Sequence, residues 1–169
     1  MIYTSHMNLY DVTVPIFSLY LENLVRIIGK AKRYAKKNKI SEKRLFEGRL
    51  APDMFTFMQQ IGYAYFMALE TTTNLSGTKA PEFDYGEKNL SELQKSLRKA
   101  ISFLKSVPRG TFEGSEKKRI VTFLDPDAKI NAQHYTLFLA LPNFFFHVTT
   151  AYDILRHRGV PLGKDDYLG

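Results

Sequence analysis

The stretch Leu141-Pro142-Asn143-Phe144-Phe145-Phe146-His147-Val148-Thr149-Thr150-Ala151-Tyr152 decides how the chain is read. It is apolar on nearly every side, so it reads as a helix that runs through the interior. Two polar residues, Asn143 and His147, lie four positions apart within it. That spacing puts them on one helix face, one turn apart. Left unpaired in a core, each would cost about 1–3 kcal/mol, so each needs a partner or a ligand. Pro142 removes one backbone hydrogen bond and clashes with the carbonyl of Phe138, which predicts a kink.

The helix around this stretch is expected from about 132 to 158. Arg156, His157 and Arg158 suit the negative end of its dipole, Gly159 caps it and Pro161 prevents continuation. A tail from 159 to 169 is expected to dock on the body through Tyr167 and Leu168. Three further helices are expected upstream. The first covers about 13–38, with Val12, Ile16, Leu19, Leu24, Ile27, Ala31 and Tyr34 as its apolar stripe and Asp11 or Thr13 as its cap. The second covers about 52–74 and is opened by Pro52, which suits a first turn. In it Gln60 falls at the edge of the buried row. The third covers about 90–106, capped by Asn89 with Glu92 three residues on. Arg119 to Phe123 is a β-type run, Asp125-Pro126-Asp127 a turn, and Lys129 to Asn131 a returning strand. The fold class is therefore all-α: one four-helix bundle over residues 1–169, with a small hairpin before the last, Pro-kinked helix.

Composition limits the function. The 169 residues are 44% hydrophobic and 24% charged, a globular balance. Thirteen Phe and ten Tyr with no Trp predict large aromatic contacts inside. No run of 18 uncharged apolar residues exists, so no membrane span is expected. No signal-peptide pattern opens the chain, and cysteine is absent, which together fit a cytoplasmic protein without disulfides or thiolate chemistry. The net charge of +7 is concentrated between Lys30 and Arg44. Those cations spread around a helix and lack interleaved base-stacking aromatics, so nucleic acid is not the expected partner.

Three segments carry a resemblance: Arg49-Leu50-Ala51-Pro52-Asp53-Met54-Phe55, the Leu141–Tyr152 stretch, and Leu155-Arg156-His157-Arg158-Gly159-Val160-Pro161-Leu162-Gly163. Together they resemble an uncharacterised domain-of-unknown-function family within the DinB/YfiT-like superfamily. The resemblance spans about Leu9 to Gly169. It implies a four-helix bundle with a long crossover, often dimeric. It also implies the place where relatives hold a metal on three histidines, one from the second helix and two from the last. Some of those relatives are thiol-dependent transferases or metal-dependent hydrolases. Here the matching late positions are Asn143 and His147, and Gln60 is the nearest polar residue in the second helix.

That donor set is poor for a metal, because neutral amides are weak ligands beside imidazole, thiolate or carboxylate. His134 and His157 lie about 20 Å and 15 Å along the helix from His147. Asp53 and Glu70 could each offer a carboxylate, but both sit about two turns or more from Gln60. No metal or other cofactor is expected, with His147 the single retained ligand candidate. The expected site is instead a small-molecule pocket of Gln60, Asn143 and His147, joined by Tyr152, Tyr10 or Tyr63. Asp53 and Arg49 are expected to form a corner salt bridge or a clamp at the pocket mouth. The alternatives are a metal- or thiol-dependent enzyme of the DinB/YfiT type and a structural dimerisation module, with a homodimer expected in either case.

Overall fold

A computed structural model describes residues 8–122 and 125–169. Its body is made by four long helices: α1 (Val14–Asn38), α3 (Phe57–Ser76), α4 (Leu90–Ser106) and α6 (Leu141–His157). Short α2 (Glu42–Phe46) lies in the first connection, and α7 (Lys164–Leu168) is the docked tail. Strands β1 (Arg119–Thr122) and β2 (Asp125–Asn131) form the antiparallel hairpin ahead of the last helix. Phe123, assigned to the strand from sequence, lies outside the described residues, as does His6. The architecture is all-α apart from this hairpin, with α3 packed chiefly on α6 and α1 on α4. Among the described residues no helix is long and apolar enough to cross a membrane.

One core joins these elements. Phe17, Leu21, Leu24, Ile28, Ala31 and Ala35 form the inward row of α1. Leu24, Ile27 and Ala31 are buried as expected, but Leu19 is 43% exposed, and Phe17 and Leu21 take the inward positions in the first half of the helix. Thr13 does not cap by its side chain; its hydroxyl donates back to the Leu9 carbonyl at 2.6 Å. In α6 the three consecutive phenylalanines go three ways. Phe144 is fully buried and meets Phe17 edge-on at 4.7 Å. Phe145 lies against Tyr20, and Phe146 is 54% exposed.

One helix start and one helix interior differ from the sequence expectation. The second long helix begins at Phe57, not Pro52. Thr56 and Gln59 form a complete capping box there, which satisfies the backbone amides of both residues, two donors that a helix start at this point would otherwise leave free. The preceding residues turn instead, with Arg49 donating to the carbonyls of Pro52 and Met54, each at 3.1 Å. The expected kinked helix from about 132 to 158 is present as a continuous helical run from Ala132 to His157, with a π-helical segment inside it. A single turn, α5 (Ala132–His134), leads into a wider π-helical segment, Tyr135–Ala140, and α6 follows. Pro142 follows that segment inside the continuous helix, so the wide turn before it, rather than a free helix start, accommodates its missing N–H. The wide turn takes up the steric demand that the sequence predicts as a kink.

The chain end is fixed by geometry and charge. Gly159 has φ +87°, and a Cβ there would meet the Tyr34 hydroxyl at 2.8 Å, so a side chain would be strained and would have to displace that hydroxyl. Beyond it Asp166 pairs with Lys30 at 2.6 Å, and Asn23 donates to the Tyr167 carbonyl at 2.7 Å. Part of the basic stretch is therefore used to dock α7.

Candidate functional site

The site is built where α3 and α6 face each other. Thr56 sets the start of α3, and one turn later Gln60 points inward, 1% exposed. From α6, His147 meets it: Nδ1 lies 2.6 Å from Gln60 Oε1. The amide nitrogen of Gln60 faces the Phe55 carbonyl at 3.5 Å, a long contact that still orients the amide with its oxygen towards the imidazole. The imidazole therefore donates from Nδ1, and Nε2 keeps its lone pair. Among the described residues Nε2 has no partner. Burial pushes the His147 pKa down to about 4, so the ring is neutral at pH 7.

His147 forms part of the wall of a cavity of about 760 Å³. From α3 come Met58, Gln59, Gly62, Tyr63, Phe66, Met67 and Glu70. Tyr85 and Glu87 close it from the segment before α4, and Asn143 joins His147 from α6. The rings are ordered. Tyr63 stacks on His147 at 5.2 Å, and Phe55 stacks on Tyr63 at 4.7 Å. Tyr85 lies nearly parallel to the buried Tyr65 at 5.2 Å. Gly62 leaves the wall open: a Cβ added there would meet nothing within 4 Å. A glycine in a helix interior costs about 0.5–1 kcal/mol relative to alanine, and no packing constraint requires this one.

Two carboxylates sit on that wall. Glu87, 9% exposed, accepts a hydrogen bond from the Tyr65 hydroxyl at 2.8 Å. Burial, then that bond to Glu87, raises the Tyr65 pKa far above the ordinary tyrosine range, so Tyr65 stays a donor. Glu70 is half-buried, and its pKa is raised by that burial and partly restored by the Tyr135 hydroxyl. Tyr135, itself pushed up to about 12 chiefly by burial, also shares a hydrogen bond with Thr71 at 3.3 Å.

The residues expected at the site separate into three groups. Gln60 and His147 are brought together and bonded. Asn143 shares the cavity wall with His147, but among the described residues its side chain makes no hydrogen bond. Tyr152 and Asp53 are not there. Tyr152 is half-buried against Tyr167 at 5.8 Å, on another side of α6. It lies about 140° around the helix from His147 at the ordinary pitch. Asp53 is exposed in the turn before α3, and Arg49 bonds carbonyls rather than its carboxylate. Of the tyrosines named with the pocket, Tyr63 is on the wall, whereas Tyr10 packs edge-on with Phe112 at 5.3 Å. Sequence reasoning set Glu70 aside as too distant from Gln60 and missed Glu87 altogether. Glu70 is two turns beyond Tyr63, so it continues the same face; Glu87 lies in a loop where no periodicity could mark it.

The metal position implied by the resemblance does not fit these side chains. The one imidazole present spends Nδ1 on Gln60, and Gln60 in turn is held by Phe55. Among the described residues no three His, Asp or Glu groups converge closely enough to hold an ion.

The fold itself has a solved counterpart. A DinB family member protein from Shewanella denitrificans, known from its crystal structure, is 35% identical, with a TM-score of 0.91 over 95% of this chain and 92% of that one. No curated protein matches the chain. Residues 9–168 match the family described as Domain of unknown function (DUF1993). With its whole bundle matched in sequence and in shape, the chain belongs to the DUF1993 family, within the DinB-like superfamily.

Proposed function

We propose that the chain binds a small organic molecule in the cavity between α3, α6 and the segment carrying Tyr85 and Glu87. One observation carries this reading. A nearly buried imidazole is fixed on one nitrogen by Gln60 and offers the lone pair of the other, unpartnered, on the wall of a cavity of about 760 Å³. That volume lies within the range of roughly 300–1,000 Å³ common for ligand sites, and the wall joins apolar and aromatic surface to a few convergent polar groups. An open wall at Gly62 supports it, since alanine would fit there and stabilise the helix.

The test is a fragment screen on the full chain by NMR, repeated on Gly62→Leu. The leucine side chain enters open space, so the variant should stay folded while its side chain occupies the cavity. Fragments that shift the His147 and Tyr63 resonances in the parent and lose binding in the variant support a ligand site. Hits that survive the substitution unchanged, or a screen without saturable hits, contradict it.

Self-association has its own supporting observation. Phe138 is 75% exposed and Phe146 54% exposed, an unusual amount of bare ring surface on one segment. A homodimer formed through that segment would be dispersed by Phe138→Ser. Light scattering that finds a monomer at every concentration in the parent would remove this reading.

A further inference from the structure

We infer that the cavity takes an organic cation, specifically an amine carried as an N–H-bearing ammonium; this rests on the ligand-site reading above and names its class. The ionisable wall is one-sided. Glu70 and Glu87 line the cavity and, among the described residues, no lysine or arginine does, although the chain as a whole carries +7. Glu87 uses Oε1 for the Tyr65 hydroxyl, which leaves Oε2 without a partner among the described residues.

The remaining surface suits a cation as well. Tyr63, Phe66 and Tyr85 form a continuous run of rings, Tyr63 to Phe66 at 6.3 Å and Phe66 to Tyr85 at 6.1 Å, each pair edge to face. Ring faces attract positive charge through their quadrupoles, more strongly when water is displaced. An independent pointer is His147, 6% exposed, whose unpartnered Nε2 can only accept a hydrogen bond while the ring is neutral. Two carboxylates, a ring-nitrogen lone pair and aromatic walls call for a ligand that is positive and rich in N–H donors. An anion would face both carboxylates. A neutral molecule would desolvate them without compensation. A quaternary ammonium would satisfy the rings but could not donate to Nε2.

Calorimetric titration of the full chain at pH 7 with 2-phenylethylamine, 2-phenylethanol and phenylacetate separates these cases. The amine, cationic at this pH, is expected to bind at least about tenfold tighter than the alcohol, and phenylacetate not to saturate. Benzyltrimethylammonium is expected to bind more weakly than the amine. Glu70→Gln and Glu87→Gln should each weaken the amine about tenfold and leave the alcohol unchanged. Glutamine at 87 can still accept from Tyr65, so that variant should fold, and Glu70→Gln gives an independent reading. Equal or tighter binding of the alcohol or the acid overturns the cation inference and leaves the ligand site standing. Saturation by none of the probes also overturns it, and the fragment screen with Gly62→Leu then decides the ligand site separately.

Discussion

Helix α6 has two sides that obey different rules. Towards α1, Phe144 is sealed against Phe17 in a contact with no polar atom and no room. One turn on, towards α3, His147 is nearly as buried but faces Gln60 on one edge and a cavity on the other. The sealed side is selected for volume, so it serves stability. The open side carries an acceptor without a protein partner among the described residues, two carboxylates, and a glycine that packing does not demand and that costs helix stability.

Substitutions should separate the two sides cleanly. Phe144→Ala removes a fully buried ring and should lower unfolding free energy by about 3–5 kcal/mol in urea titration, the largest single effect expected. A loss under about 1 kcal/mol would mean that the sealed side is looser than described. The next effect comes from acid. His147 has its folded pKa held down at about 4, below the unfolded value of about 6.5. Between these two values the unfolded chain binds more protons, so this residue's contribution to stability is intact above about pH 6.5 and falls as pH drops towards 4. His147→Gln should flatten that part of the profile.

Gln60→Leu should cost about 1–3 kcal/mol, because it leaves the His147 Nδ1 donor buried without an acceptor. The smallest effect has the opposite sign. Gly62→Ala should raise stability by about 0.5–1 kcal/mol while narrowing the cavity, measurable as a small rise in Tm. Destabilisation at that position would show that the wall is already filled, and would erase the contrast between the two sides.

Much of this was legible from residue spacing. Asn143 and His147, four apart in an apolar run, marked the face of α6 that lines the cavity, and Gln60, at the edge of its helix's buried row, is bonded to His147. The hairpin was readable from its β-type run, but Asp125, Pro126 and Asp127, expected as its turn, belong to strand β2 instead. Other parts depend on information that spacing does not hold. Pro52 is a good first-turn residue, but Thr56 and Gln59 satisfy more amides, and competition between two starts is decided by such counts. The π-helical segment before Pro142 is a tertiary compromise, since a kink and a wide turn both relieve the same clash. Tyr152 belongs to the same apolar run as His147 yet turns to Tyr167, because five residues is not a helical repeat. Glu87 reaches the cavity only because a loop folds across α3 and Tyr65 anchors it.

The sharpest test reads the His147 ring directly. Nitrogen-15 NMR of the imidazole at pH 7 should show a protonated Nδ1 and a bare Nε2, with the Nε2 resonance shifting when a cavity ligand is added and remaining still in Gly62→Leu. A ring protonated on Nε2, or an Nε2 resonance indifferent to every molecule that binds, would contradict an imidazole held by Gln60 to present its lone pair to the cavity.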